Sequence, residues 1–330
     1  MKKKILTVFK FAFFLGLGIF LVWWSIRNVE NFDEFKKSLV TAKYWMIIPV
    51  FIIMTLSHLL RALRWKLLME PMGYKPSLPN TFFAVMIGYL ANSAIPRLGE
   101  ILKCTILAKY EDIPAEKNIG TIVAERAFDV LCLLTLFVLA LVFQYDIVIA
   151  AYHKMQVINT TQKQTSSNIG YYVKMALLII VLLFIVWAII QKKWQIFIAK
   201  TKNIFKGIGE GIMSALKLKH KYLFIVYSIS IWGLYVTGTW IGLYATTGSE
   251  LSFGAALTCL AFASIGMIIT PGGIGSYALL LAMVLEIYGV KQEIGLANGT
   301  LQWFAQFIII LLVGFVCVIM LPIYNRRRML

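Results

Sequence analysis

Long apolar stretches, separated by short polar segments, run along the whole chain. Six of them have about the 20 residues that a helix needs to cross the hydrocarbon core of a membrane: residues 5–26, 44–63, 119–145, 170–190, 222–245 and 296–322. Two further apolar stretches, residues 80–108 and 253–288, are interrupted in the middle by Pro and Gly. The pattern predicts an all-α, polytopic membrane protein with six transmembrane helices and two broken helix pairs, forming one domain over residues 1–330.

The two interrupted stretches occupy equivalent places in the two halves of the chain. Their breaks lie at Pro96 and Pro271, inside two repeats that we place at residues 44–145 and 222–322. Each broken pair must return to the side where it began, as a re-entrant pair or as two short crossings, and the sequence leaves both open. The repeats then have opposite orientations, which is typical of transporters. The alternative is two kinked helix pairs without a function.

Composition and charge agree with a membrane protein. The chain is 60% hydrophobic and only 14% charged, too few charged residues to cover a soluble protein of 330 residues. The net charge of +17 would suggest a nucleic-acid partner in a soluble protein, but here most Lys and Arg lie in alternate segments. We therefore expect no nucleic-acid partner. The four cysteines are scattered singly, and no spacing suggests a metal site.

The Lys and Arg distribution also predicts the orientation. With the N-terminus in the cytoplasm, 21 of the 32 basic residues lie in cytoplasmic segments and 8 in external ones. Basic residues favour the cytoplasmic side, so both termini are predicted to be cytoplasmic, in a bacterial inner membrane. The apolar run after the first four residues is predicted to be an uncleaved first helix. The polar residues 146–169 are predicted to form a flexible external loop.

Charged residues follow the first break. Arg97, Glu100 and Lys103 are costly at membrane depth, so they are expected to be paired or to face water. Glu100 and Lys103, three residues apart, are expected to pair on one helix face. Arg97 and Lys103 are candidates for contact with a phosphate. The alternative is that the break lies at the membrane interface, where long charged side chains reach water.

Two further clusters carry charge. Glu125, Arg126 and Asp129 lie at the start of a predicted helix, and the two acids share one face. This cluster could be a structural lock, a proton relay or a headgroup contact. Arg64, with its neighbours in the Arg61-Ala-Leu-Arg-Trp-Lys segment, is expected either to contact a headgroup or to belong to a cytoplasmic basic and aromatic belt.

The second break carries no charge. It holds Pro271, Gly272, Gly273 and Gly275, which permit sharp backbone turns and close helix approach. If the chain reverses here, the next helix would present free N–H groups that suit a phosphate. Together with Pro96 and Gly99 of the first break, these residues are expected to form the floor of a polar cavity.

In combination and in order, these motifs resemble the membrane region of the lysylphosphatidylglycerol synthase/flippase family, over about residues 5–325. The resemblance rests on four segments of the sequence: Arg61-Ala-Leu-Arg-Trp65, Pro96-Arg-Leu-Gly-Glu100, Glu125-Arg-Ala-Phe-Asp129 and Pro271-Gly-Gly-Ile-Gly275. It implies a lipid-translocating domain with re-entrant helices. Because the chain ends soon after its last predicted helix, no aminoacyl-transferase domain is expected, and lysyl transfer is not inferred. The family often has an acid after the second break, where this chain has Ser276 and Tyr277.

The resulting hypothesis is a single flippase-like domain that passes an anionic phospholipid or polyprenyl-linked headgroup between leaflets. Arg64, Arg97, Lys103 and Arg126 would contact the headgroup, and Glu100, Glu125 and Asp129 would hold the cations or relay protons. Two alternatives are a membrane enzyme acting on lipid-linked sugars and a non-catalytic partner of a separately encoded lipid-modifying enzyme. No catalytic motif, cofactor or metal is expected. The expected partners are membrane lipids and, as open alternatives, a second copy of the chain or that enzyme.

Overall fold

The computed structural model describes residues 31–95, 97–165, 213, 215 and 217–326, and all regular structure in these ranges is helical. The predicted spans at residues 5–26 and 170–190, Pro96 and most of residues 191–216 lie outside the described residues. The long helices run in chain order: α1 (Phe32–Val40), α2 (Ile47–Met69), α3 (Leu78–Ala94), α4 (Leu98–Glu111), α5 (Ala115–Phe143), α6 (Tyr145–Thr165), α7 (Lys221–Leu243), α8 (Phe253–Ile269), α9 (Ser276–Ile287) and α10 (Gln292–Asn325). Three-residue 3₁₀ turns precede α2, follow α2 and lie between α8 and α9.

Four of the described helices, α2, α5, α7 and α10, are long and apolar enough to cross a membrane. They coincide with four of the six predicted spans, although α2 continues six residues beyond its predicted end at residue 63. Large apolar side chains such as Ile52, Val138 and Phe315 remain exposed on these helices. Exposed apolar faces of this extent are expected where the solvent is lipid.

Both interrupted stretches form helical hairpins, α3 with α4 and α8 with α9, in which the two helices pack against each other. Glycine makes the close approach possible. A Cβ atom at Gly99 would clash with the carbonyl group of Gly88, and one at Gly266 would lie 2.7 Å from the carbonyl oxygen of Ser276. The breaks predicted from Pro and Gly are therefore confirmed as the turns of two hairpins.

The apolar core has two main parts. One is built around α8 and α9, with Phe262 and Leu281 at its centre. The other lies where α2, α3, α4 and α5 meet, around Trp65 and Leu107. Helix α7 contributes to both parts, since it packs on α2 and on α8. The charged residues that precede and follow Trp65 along α2 border the second part.

The prediction of a flexible loop at residues 146–169 is wrong over its described part, because residues 145–165 form α6. Val148, Ala151 and Met155 recur at helical spacing, and the first two are buried. This apolar stripe packs near α9, where Lys154 pairs with Glu286 at 2.5 Å. The overall polarity of the segment hid the stripe, since helical spacing rather than composition decides whether a segment can pack.

The close approach at Gly266 gives a testable prediction about stability. Gly266→Ala should lower the free energy of unfolding by about 1–3 kcal/mol, because the added methyl group overpacks the α8–α9 contact. Gly233→Ala is the matched control, since a Cβ there meets nothing within 4 Å, and it should be neutral or stabilising by up to about 1 kcal/mol. Thermal unfolding of the detergent-purified variants measures the difference. Equal midpoints would contradict the packing of α8 on α9.

Candidate functional site

Four charged side chains from two helices form a buried ion cluster, which we call the four-residue cluster: Arg61 and Arg64 of α2 with Glu125 and Asp129 of α5. Arg61 Nη1 donates to Glu125 Oε1 at 2.9 Å and to Asp129 Oδ2 at 2.7 Å. Arg64 Nη2 donates to Asp129 Oδ1 at 2.6 Å and to Glu125 Oε1 at 3.4 Å. The spacings of three residues on α2 and four on α5 place each pair on one helix face. Each carboxylate is thus bonded to both arginines.

Helix α7 completes this arrangement. Arg61 Nη2 donates to the hydroxyl of Tyr235 at 3.1 Å, and Arg64 Nη1 donates to Ser228 Oγ at 3.2 Å. The side chains of Arg64 and Glu125 have no exposed surface. Separating the helices would leave buried charges without their partners, which is costly. The four-residue cluster therefore fixes α2, α5 and α7 relative to one another. Of the roles predicted for the two acids, this geometry favours the structural lock.

Lys103 of α4 lies beside the four-residue cluster and is 1% exposed. Its Nζ atom is 4.9 Å from the ring centre of Tyr89 and 5.6 Å from that of Trp65, within cation–π range. It has no hydrogen-bond partner among the described residues. An ammonium group has three donors and is costly to bury without acceptors. Lys103 is therefore a buried cation that still lacks an acceptor.

Small and aromatic neighbours hold Lys103 in this position. Its stem runs across Gly88 of α3, where a Cβ atom would lie 2.7 Å from Lys103 Cγ. The Trp65 indole is fixed by a hydrogen bond of 2.8 Å from Nε1 to Thr121 Oγ1. The imidazole of His58 packs against the Tyr89 ring with 4.9 Å between centroids. These contacts place Lys103 in an aromatic cage with little room to move sideways.

A more open ion pair lies next to the first break. Arg126 Nη2 is 3.6 Å from Glu100 Oε1, and Arg126 Nη1 is 3.8 Å from Asp129 Oδ2. The Arg126 side chain is 42% exposed. Asn92 spans the break: its amide nitrogen donates to Glu100 at 3.3 Å and its oxygen accepts from the Gly99 N–H at 2.7 Å. This ion pair is therefore more accessible than the four-residue cluster.

The structure agrees with only part of the predicted site. Glu100, Lys103, Glu125, Arg126 and Asp129 do come together, but the expected pair between Glu100 and Lys103 is not formed, because Glu100 turns to Arg126 and Asn92 instead. Arg97 takes a left-handed backbone (φ 67°) at the start of α4, and it is exposed.

The predicted basic and aromatic belt is wrong for three of its four members. Arg61, Arg64 and Trp65 are 4%, 0% and 0% exposed, because α2 continues to Met69 and buries them under α5 and α7. Arg64 has no surface left with which to contact a headgroup. Tyr89 and Tyr235 also belong to the site, although the sequence pattern did not single them out, and Arg61 was predicted as a member of the belt rather than of an ion cluster. Arg61 and Arg64 are about one helical turn apart, and so are Glu125 and Asp129. This shared spacing is the signal from which the four-residue cluster could have been predicted.

The second break is neutral in structure as well as in sequence. Gly272, Gly273 and Gly275 have φ between 68° and 76°, a backbone conformation that favours glycine. Ser276 Oγ donates to the Gly266 carbonyl at 2.7 Å, and Trp303 Nε1 donates to the Gly272 carbonyl at 2.8 Å. Backbone carbonyls at and near the break thus accept hydrogen bonds from side chains of the protein.

The described residues hold no group of three or more His, Cys, Asp or Glu that could bind a metal ion.

A small cavity lies between α2, α7 and α10, with Met54, Gly238, Gln302 and Gln306 in its lining. Its volume of about 30 Å³ exceeds the roughly 10–15 Å³ that one water needs. The Met54 side chain packs against Gly238 of α7, and Met54 lies two helical turns before Arg61 on α2. The cavity can therefore hold water, and its lining includes none of the residues of the four-residue cluster.

Comparison with known proteins identifies the family. The family model of the lysylphosphatidylglycerol synthase TM region matches residues 8–314. A UPF0104 membrane protein of Methanocaldococcus jannaschii is 29% identical over 143 residues, 42% of this chain and 40% of the relative. Another, from Pyrococcus horikoshii, is 22% identical over 97% of both chains. No solved structure matches. This multi-pass membrane protein therefore belongs to the family of the lysylphosphatidylglycerol synthase transmembrane region.

Proposed function

We propose that this protein moves lipids between the two leaflets of the cytoplasmic membrane, with the headgroup passing the charged site and the acyl tails remaining in the bilayer. The observation that carries the proposal is Lys103, a cation without a hydrogen-bond acceptor among the described residues, beside a helix break. Charges within a membrane domain are costly and are retained mainly where they serve transport. A lipid phosphate would supply the missing acceptor oxygens.

Helix lengths support re-entrant hairpins in this proposal. Helices α3, α4, α8 and α9 have 17, 14, 17 and 12 residues. At 1.5 Å per residue they extend about 18–26 Å, less than the hydrocarbon thickness of about 30 Å. Each hairpin would enter the membrane and return. With six spans this makes the two halves an inverted repeat whose hairpin tips meet near the bilayer midplane, with both termini cytoplasmic.

The residues then divide by role. Arg97, which is exposed, and Arg126, which is partly exposed, would meet an approaching phosphate first, and Lys103 would bind it at depth. Glu100 would hold Arg126 until the phosphate replaces it. Glu125 and Asp129 would keep Arg61 and Arg64 in place and would not contact the lipid themselves. The proposal involves no bond making or breaking, and it assigns membrane lipids as the partners.

Lipid movement in reconstituted vesicles tests the proposal. With fluorescent phosphatidylglycerol in both leaflets, wild type should let dithionite quench the whole signal, whereas protein-free vesicles should retain about half. Arg126→Ala should slow translocation by about tenfold or more, since a charge-assisted hydrogen bond contributes about 1.5–3 kcal/mol. Lys154→Ala, on the distant α6, is the control and should behave like wild type. Wild-type vesicles that behave like protein-free ones would overturn the proposal.

A further inference from the structure

We infer that the transported headgroup is a phosphate that carries no amine, and not an aminoacylated lipid; this inference rests on the proposed lipid translocation. The charge balance of the site favours an anion. Four cations and three carboxylates share the site. The cations are Arg61, Arg64, Lys103 and Arg126, and the carboxylates are Glu100, Glu125 and Asp129. One positive charge is left over, and it belongs to the side chain that lacks an acceptor.

The carboxylates of the site are already paired with arginines. Glu125 and Asp129 each accept from both arginines of the four-residue cluster, Glu125 through Oε1 alone, and Glu125 has no exposed surface. An incoming ammonium group that took a carboxylate from an arginine would leave a buried guanidinium without its partner, and one bound beside the arginines would add to the positive charge that is already in excess, so both are costly. The more accessible acid is Glu100, 31% exposed and held by Arg126. An amine on the headgroup would compete there with an arginine already in place.

The other hairpin offers an amine no counter-charge. No Asp, Glu, Lys or Arg occurs from Leu251 to Leu285, which covers α8, the second break and nearly all of α9. The polar side chains that face α10 from this hairpin are neutral, as in the hydrogen bond between Tyr277 and Gln302 at 3.4 Å. Hydroxyl and amide groups suit the hydroxyls of a glycerol or sugar, but they cannot neutralise an ammonium ion in a low dielectric. Nothing described in this hairpin would offset a cationic headgroup.

The first step of recognition would exchange one anion for another. Arg126, loosely held at 3.6 Å, leaves Glu100 and pairs with the phosphate. The phosphate then reaches the Nζ atom of Lys103 between Tyr89 and Trp65, where its non-bridging oxygens accept from the N–H donors of the ammonium group. Two lipid types share this chemistry, an anionic glycerophospholipid and a polyprenyl phosphate, and they differ in the tail.

Competition between lipid classes in phosphatidylcholine vesicles tests the inference. The probes are fluorescent phosphatidylglycerol, a polyprenyl monophosphate, phosphatidylethanolamine and lysylphosphatidylglycerol. We expect at least one of the first two to be translocated about tenfold faster than either amine-bearing lipid, and the faster of the two identifies the tail. Lys103→Gln, which preserves the polarity of the side chain and much of its size, should remove that preference. Lys109→Gln, at an exposed position of the same helix, is the matched control and should retain it.

The outcomes separate this inference from the proposed function. Translocation of lysylphosphatidylglycerol as fast as phosphatidylglycerol, with loss of that activity in Glu100→Gln, would overturn the inference and leave lipid translocation intact. An undiminished preference in Lys103→Gln would also overturn it, since another group would then select the phosphate. If no probe moves faster than in protein-free vesicles, the proposed function fails, and the inference fails with it.

Discussion

Replacing Arg61 with methionine should lower the free energy of unfolding by about 3–5 kcal/mol, which is the usual cost of removing one partner from a buried ion pair. Arg61 bonds both Glu125 and Asp129 and is 4% exposed. Without it, two buried carboxylates share the single guanidinium of Arg64. The Tyr235 hydroxyl also loses its partner on α2. Equilibrium unfolding in mixed detergent micelles, followed by tryptophan fluorescence, measures the loss.

Two comparisons separate burial from charge in this experiment. Arg126→Met removes an arginine that is 42% exposed and whose ion pairs are 3.6 and 3.8 Å long, so it should cost no more than about 1 kcal/mol. The double variant Arg61→Met/Asp129→Leu should recover most of the stability lost in Arg61→Met, since a balanced apolar replacement removes the uncompensated charge. If Arg61→Met costs no more than Arg126→Met, the four-residue cluster is not a desolvated lock.

The helices could be predicted well from the sequence because lipid imposes a simple rule. A spanning segment must be long and apolar, and four such predictions are confirmed. Gly and Pro marked both breaks because sharp turns and close helix approach need them. The same reliance on apolarity failed at α6, where a narrow stripe of Val148, Ala151 and Met155 sufficed for packing against a protein neighbour. The overall apolarity of a segment indicates whether it faces lipid, whereas the spacing of its apolar residues indicates whether one face packs against protein.

The site was harder to predict because its partners are far apart in the sequence. Arg61 and Glu125 are separated by 64 residues and meet only once α2 and α5 pack. Reasoning from near neighbours paired Glu100 with Lys103, but tertiary packing gave Glu100 to Arg126. A pair three residues apart gains only about 0.2–0.5 kcal/mol on an isolated helix. Such a preference is easily overridden by a neighbouring helix that presents a second cation.

The positive charge of the chain has two separate origins in this picture. Lysines and arginines outside the membrane are expected to determine its orientation, which depends on how many lie on each side and not on their exact positions. The buried cations are placed with precision: Arg61 and Arg64 are neutralised by acids of α5, whereas Lys103 has no acceptor among the described residues. A protein that only needed stability would gain nothing from an ammonium group without an acceptor. The placement of Lys103 is therefore best understood as a cost accepted for function.

Lys103→Met should separate stability from activity. The free energy of unfolding should stay the same or rise, because an apolar side chain of similar length replaces a buried cation without an acceptor among the described residues. Translocation of an anionic lipid should fall by about thirtyfold or more, since losing a buried charged hydrogen bond costs about 2 kcal/mol or more. The two measurements are thermal unfolding and dithionite quenching in vesicles. Lys109→Met, on the exposed side of the same helix, should change neither.

A second variant reaches the same group without removing its charge. Gly88→Ala places a methyl group 2.7 Å from Lys103 Cγ, so the stem must shift and the ammonium leaves the Tyr89 and Trp65 rings. Translocation should fall although all cations remain. If instead Lys103→Met unfolds the protein while Gly88→Ala transports at the wild-type rate, Lys103 is a structural residue. Its position would then not matter for transport, and the phosphate would have to be bound by Arg97 and Arg126 alone.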